Sequence, residues 1–194
     1  MPSELESTLD VALAVAAAFE RVGIDYFLGG SLASSLQGEP RATNDIDFVV
    51  DLRAGQIGPL AAALGSEFDL DEAALLDAVA TRGSWNIFHL PMVTKIDLFV
   101  LGNAPFDRSE FNRRQRLTVR PGGALFVKSA EDSILRKLLW FLDGGRVSER
   151  QWRDVVEILR VSRAGLDVAY LDSWAGSLAL TSELAQARED AARP

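Results

Sequence analysis

Two stretches of this chain hold residues whose types and spacing suit chemistry at phosphate. The first is Gly29-Gly30-Ser31, which closes the apolar run 24–28 and precedes Leu32, Ala33 and Leu36, a short helical pattern ending at Gly38. Glycines let the main chain approach an anion closely, and the first amides of a helix are unpaired donors at the positive end of its dipole. With Ser31 expected as the helix cap, Gly29, Gly30 and Ser31 form a candidate phosphate cradle. The second stretch is Asp45-Ile46-Asp47. On a strand the pleat sends both carboxylates to one face and Ile46 and Phe48 to the other. Like charges held that close resist joint ionisation, and a bound cation relieves them. Mg²⁺ suits the task, because it takes one or two carboxylates and completes its shell with water and substrate phosphates. Arg41 and Thr43 lie on the loop leading into the carboxylates, where a guanidinium suits phosphate and a hydroxyl can fix an oxygen; each can equally serve its own loop backbone. A phosphate cradle beside a metal cradle implies nucleotide chemistry.

The glycine turn followed by Asp-hydrophobic-Asp resembles the nucleotidyltransferase superfamily that includes DNA polymerase beta, the CCA-adding enzymes and kanamycin nucleotidyltransferase. The segment Arg41-Ala42-Thr43-Asn44-Asp45-Ile46-Asp47-Phe48 is most similar to the bacterial abortive-infection nucleotidyltransferase toxins and their relatives. That resemblance implies a third acidic residue on a later strand, and Asp97 within Thr94-Lys95-Ile96-Asp97-Leu98-Phe99-Val100 meets it. It also implies an α/β (α+β) fold: a nucleotidyltransferase-like mixed sheet flanked by helices, with a C-terminal helical extension. In the same bacterial family the lysine of a Glu131-Asp132…Lys137-Leu138 segment lies near the nucleotide, which makes Lys137 a further candidate; its other reading is an ion pair with Asp154 on the next helix. The resemblance is specific over 27–100 and looser over 129–160.

These residues need elements to hold them. Leu5, Leu9, Leu13, Ala16 and Ala17 recur at helical spacing over 4–22, with Gly23 as a stop. Helices are also expected over 57–64 and 72–80, the latter capped by Asp71 or Asp69. Strands are expected over 24–28, over 85–90 and around Asp97, the last two antiparallel across Pro91-Met92. Pro121-Gly122-Gly123 marks a hairpin within 114–127. Ser129 opens a helix with an acidic first turn, Gly144-Gly145 end it, and Ser148…Gln151 has the form of a capping box for the next. One or two closing helices occupy 167–190. The division expected is a core of 1–104 and a hairpin-plus-helix region of 105–194, the boundary falling between 104 and 129. His89, the single histidine, has no acidic or hydroxyl neighbour in sequence and is read as a sheet residue.

A formal charge of −8 from 28 acidic and 20 basic residues disfavours a general nucleic-acid binder. Over 106–137, however, Arg108, Arg113, Arg114, Arg116, Arg120, Lys128, Arg136 and Lys137 outnumber the acids, so either a solvated face or a positive wall beside the acidic site is open. There is no cysteine, hence no disulfide or thiolate site. The first residues do not fit a signal peptide, and no apolar run approaches the roughly 20 residues that span a bilayer. A cytoplasmic protein with no membrane partner is the expectation.

The expected activity is metal-dependent transfer of a nucleoside monophosphate from a nucleoside triphosphate to an RNA, protein or small-molecule acceptor, with a toxin of a toxin-antitoxin system, and hence a cognate antitoxin, among the implied settings. Asp45 and Asp47 would hold Mg²⁺ on the triphosphate, and Asp97 would complete a second ion site. Two such ions, about 3.5 to 4 Å apart, stabilise the attacking and leaving oxygens of an in-line displacement. A non-catalytic nucleotide-binding or regulatory module of the same fold is the alternative, and a purely structural partner the third.

Overall fold

The computed structural model describes residues 4–38, 43 and 45–193. The contacts divide the chain into two compact units, the first Met1–Leu32 with Arg41–Lys128, the second Ala33–Pro40 with Ser129–Pro194. This differs from the expected division at 104/105, because the 115–127 hairpin adds to the first unit's sheet.

In the first unit, α1 (Glu4–Val22) leads through Gly23, at φ 69°, into β1 (Tyr26–Leu28). After the start of α2 (Gly30–Gln37) come β2 (Ile46–Val50), α3 (Ile57–Leu64), β3 (Phe68–Asp69) and α4 (Glu72–Thr81). The Asp71 carboxylate caps α4 by accepting from the amides of Ala73 and Ala74, each at 3.0 Å. Strands β4 (Ser84–His89) and β5 (Thr94–Val100) form the expected antiparallel hairpin. Then follow α5 (Pro105–Asn112), β6 (Gln115–Arg120) and β7 (Gly123–Val127). Among the described residues the strands make one mixed sheet in the order β3-β4-β5-β2-β1-β7-β6, with β2 parallel to β5 and β1 parallel to β7.

Residues paired across neighbouring strands share a face. One face carries Ile46, Phe48 and Val50 of β2, Ile96, Leu98 and Val100 of β5 and Ile87 of β4, all buried. Phe19 of α1 packs there, its ring 5.3 Å from both Tyr26 and Phe48. The other face carries Asp47 and Val49, then Lys95, Asp97 and Phe99, then Asn86 and Phe88. One end of it is covered by α5, whose Phe111 joins Phe27, Leu101 and Val49 in an apolar cluster.

The second unit is helical: the C-terminal part of α2, then α6 (Ala130–Asp143), α7 (Glu149–Ser162), α8 (Val168–Ser177) and α9 (Thr181–Ala192). Ser129 and Ser148 cap α6 and α7, accepting from the amides of Asp132 and Gln151 as their spacing implies. Gln37 is tied into this unit, its side-chain oxygen accepting from the Ser133 hydroxyl at 2.7 Å. No described helix is long and apolar enough to cross a membrane.

Candidate active site

The glycine turn and the carboxylate strand are built against each other. Gly29 donates its amide to the Asp47 carbonyl at 2.8 Å, which fixes the turn to β2. Gly30 has φ 58°, and a Cβ there would sit 1.8 Å from Oδ2 and 2.5 Å from Cγ of Asp47. The Asp47 carboxylate therefore lies in space that only a glycine leaves open, at a φ that only a glycine adopts without cost. Helix α2 begins at Gly30, so Ser31 stands in its first turn rather than at the cap position expected of it.

Asp47 and Asp97 are register partners on the parallel strands β2 and β5, side by side on the same face. Asn86 of β4 stands opposite Asp97 on its other side. Asp45 departs from the expected pairing: it precedes β2, whose first residue is Ile46, and is exposed. The strand pleat therefore orients Asp47 but not Asp45. Lys95 lies two residues before Asp97 and so shares its face. Its ammonium contacts both oxygens of Asp97, at 2.8 and 2.9 Å, with the Asp97 side chain 15% exposed. The hydrogen bond that Lys95 donates to Asp97, together with the charges of Asp97, Asp45 and Asp47, raises the Lys95 ammonium's pKa above its ordinary value.

Thr43 is buried, and its carbonyl accepts from the Thr8 hydroxyl at 3.1 Å. Its own Oγ1 is buried with no hydrogen-bond partner, two residues before Asp45. A buried hydroxyl left unpaired is costly and marks a place where a ligand oxygen or water is accepted. Arg41 lies outside the described residues. Lys137 does not offer a spare cation in its own unit: its ammonium is buried, 2.8 Å from Asp154 and 3.1 Å from the side-chain oxygen of Gln151 on α7. Of the basic residues that left a solvated face or a positive wall open, Lys128 is buried in an ion pair with Glu110 at 2.9 Å, Arg114 pairs with Asp25 and Arg120 with Asp10. The His89 ring lies 4.9 Å from that of Phe68, tilted by 48°, consistent with its place in the sheet.

The donor chemistry suits a divalent ion: hard carboxylate oxygens on one face, an existing cation drawn to them and an unpaired hydroxyl nearby. The arrangement is not a closed ligand set, since among the described residues no three acidic, histidine or cysteine side chains converge on one point as they stand. Asp97 instead has both oxygens on Lys95.

Sequence reasoning missed Lys95, although strand parity alone places it beside Asp97. It also missed the buried pair Lys128–Glu110 below the glycine turn, where the Lys128 Cε is 3.8 Å from the place of a Cβ on Gly29. No local signal links those two residues, which meet only through the packing of α5 on the sheet.

No family model matches the chain, and no curated protein matches it. Among solved structures it is similar to an antigenic nucleotidyltransferase-like protein from Paracoccidioides brasiliensis, with 18% identity over 95% of this chain and 93% of that one, at a TM-score of 0.51. It also matches the antibiotic-resistance factor ANT(2'')-Ia, with 16% identity over 96% of this chain and 89% of that one, at a TM-score of 0.49. The chain has a nucleotidyltransferase-like fold.

Proposed function

We propose that the protein is a nucleotidyltransferase, moving a nucleoside monophosphate from a nucleoside triphosphate to an acceptor and releasing pyrophosphate. The observation that carries the reading is the in-register pair Asp47 and Asp97 on parallel strands, with the Gly29-Gly30 turn closed against Asp47. The fold supports it. The acceptor oxygen bonds to the α-phosphorus as the bond to pyrophosphate breaks, and the acceptor proton passes to a site carboxylate.

Asp45 and Asp47 would hold Mg²⁺, which when bound neutralises the triphosphate and the charge developing on the leaving oxygens. Gly29, Gly30 and Ser31 receive the departing pyrophosphate at the start of α2, where the positive end of the helix dipole favours an anion. Thr43 donates its free hydroxyl to a phosphate oxygen, and Asp97 faces the acceptor. The similarity of 41–48 to the abortive-infection toxins favours an RNA acceptor and a cytoplasmic toxin role.

The experiment is incorporation of each radiolabelled nucleoside triphosphate into RNA, protein and small-molecule pools with and without Mg²⁺, alongside Asp45→Ala/Asp47→Ala. Label in one pool, lost in the variant, establishes the activity and names the acceptor class. The engagement of Asp97 by Lys95 favours one other reading, a nucleotide-binding module without turnover. Nucleotide binding that is indifferent to Mg²⁺, with no label in any pool, would select it.

A further inference from the structure

The carboxylate of Asp97 is the acid of the site whose two oxygens both meet a cation. It sits within β5, backed by the buried Ile96 and Leu98, and only 15% of its side chain meets solvent. Both of its oxygens face one ammonium. Lys95, in contrast, is 42% exposed, although its ammonium is held on Asp97. Its neighbour across the hairpin is Phe88, 41% exposed, so space remains beside the lysine.

A chelated divalent ion and a bidentate ammonium cannot use the same two oxygens at once. We propose that Lys95 is a displaceable counter-ion that occupies the Asp97 position, so that a divalent ion reaches Asp97 only by expelling the lysine head into solvent. The inference rests on the ion-dependent reading of the site and adds the order of events to it. Asp45 and Asp47 take an ion with Lys95 in place. The Asp97 position opens in a second step, when a further positive charge arrives that outcompetes a single ammonium. Lys95 thus positions Asp97 without touching substrate. It also removes the like-charge repulsion among Asp45, Asp47 and Asp97 that the ion-free protein would otherwise bear.

The arrangement has a direct reading in ion binding, independent of turnover. Mn²⁺ is titrated into the nucleotide-free protein and the free ion followed by its paramagnetic resonance signal, for the wild type, Lys95→Met, Lys95→Arg, Lys95→Met/Asp97→Asn and Asp47→Asn. Removing the ammonium leaves Asp97 to the ion, so Lys95→Met binds an additional Mn²⁺ or binds it about tenfold more tightly, the size of effect expected of groups that hold a metal's ligands. Lys95→Arg behaves as the wild type, and Asp97→Asn cancels the gain. Melting with a chelator present gives the second readout: Lys95→Met melts lower than the wild type and recovers when Mn²⁺ is restored. Should Lys95→Met not fold, Lys95→Gln takes its place in the same titration. Equal stoichiometry and affinity in wild type and Lys95→Met, with Asp47→Asn abolishing binding, overturns the role of Lys95 and leaves the ion-dependent site standing. No Mn²⁺ binding in any variant overturns both.

Discussion

Gly30 is the position where one atom decides whether the site exists. A methyl group there would overlap the Asp47 carboxylate far inside van der Waals contact, and the φ of 58° costs a non-glycine residue about 1 to 2 kcal/mol besides. The fold can absorb this by rotating Asp47 away, since the side chain is only half-buried. Gly30→Ala should therefore remain folded, with a small drop in melting temperature, while kcat/KM falls by about 10²-fold, the effect of displacing a reacting group by an ångström. Gly23→Ala is the control, because it carries the same positive φ, at 69°, with nothing within 4 Å of its Cβ and no place in the site. A comparable activity loss in both variants would show that the clash with Asp47 is not the cause.

The helical hairpin of α6 and α7 is held by a buried charge pair. Lys137 and Asp154 side chains are 4% and 6% exposed, and taking one away leaves the other without its counter-charge in a dry interior. Lys137→Met alone should cost about 3 to 5 kcal/mol in urea unfolding, and Lys137→Met/Asp154→Leu should regain most of it. A phosphate-binding lysine would give the opposite pattern, with little loss of stability and a loss of nucleotide affinity that the second substitution does not repair. These helices were readable in advance because their caps, Ser129 and Ser148, and their apolar spacing are local signals. So were α1, α3 and the two hairpins, each bounded by a glycine or proline turn. Helix α5 was not, since only Phe106 and Phe111 interrupt its polar run and its role is to cover the sheet rather than to follow a period of its own. The two-residue β3 exists only through pairing with β4, and Asp45 falls off β2 because pairing stops at Ile46. Carboxylate types and order were thus legible, whereas the partner of Asp97 and the burial of Lys128 and Lys137 depend on contacts between elements.

Helix α2 belongs to both units: it starts in the first, at the glycine turn, and its residues from Ala33 onward belong to the second. Ser162 donates its hydroxyl to the Gln37 carbonyl at 3.4 Å, and Gly38 packs near Ile158, so the C-terminal part of α2 is secured by residues beyond 128. A chain ending at Lys128 keeps all seven strands but loses those partners. It should retain the strand signal in circular dichroism, while amide hydrogen exchange over 33–37 rises toward the unprotected rate. Full protection there in the shortened chain would show that α2 is held by the first unit alone.

The contact between Gly30 and Asp47 has a further consequence, in descent rather than in mechanism. Two positions seventeen residues apart cannot drift independently, because the shape of one is the absence of an atom that the other fills. Among relatives of this chain that keep the site, a residue larger than glycine at 30 should be absent, and where one appears the carboxylate at 47 should have been lost with it. Lineages carrying that double change would be those that kept the fold after abandoning its chemistry, and the pair of letters would separate them from working members before any assay is run.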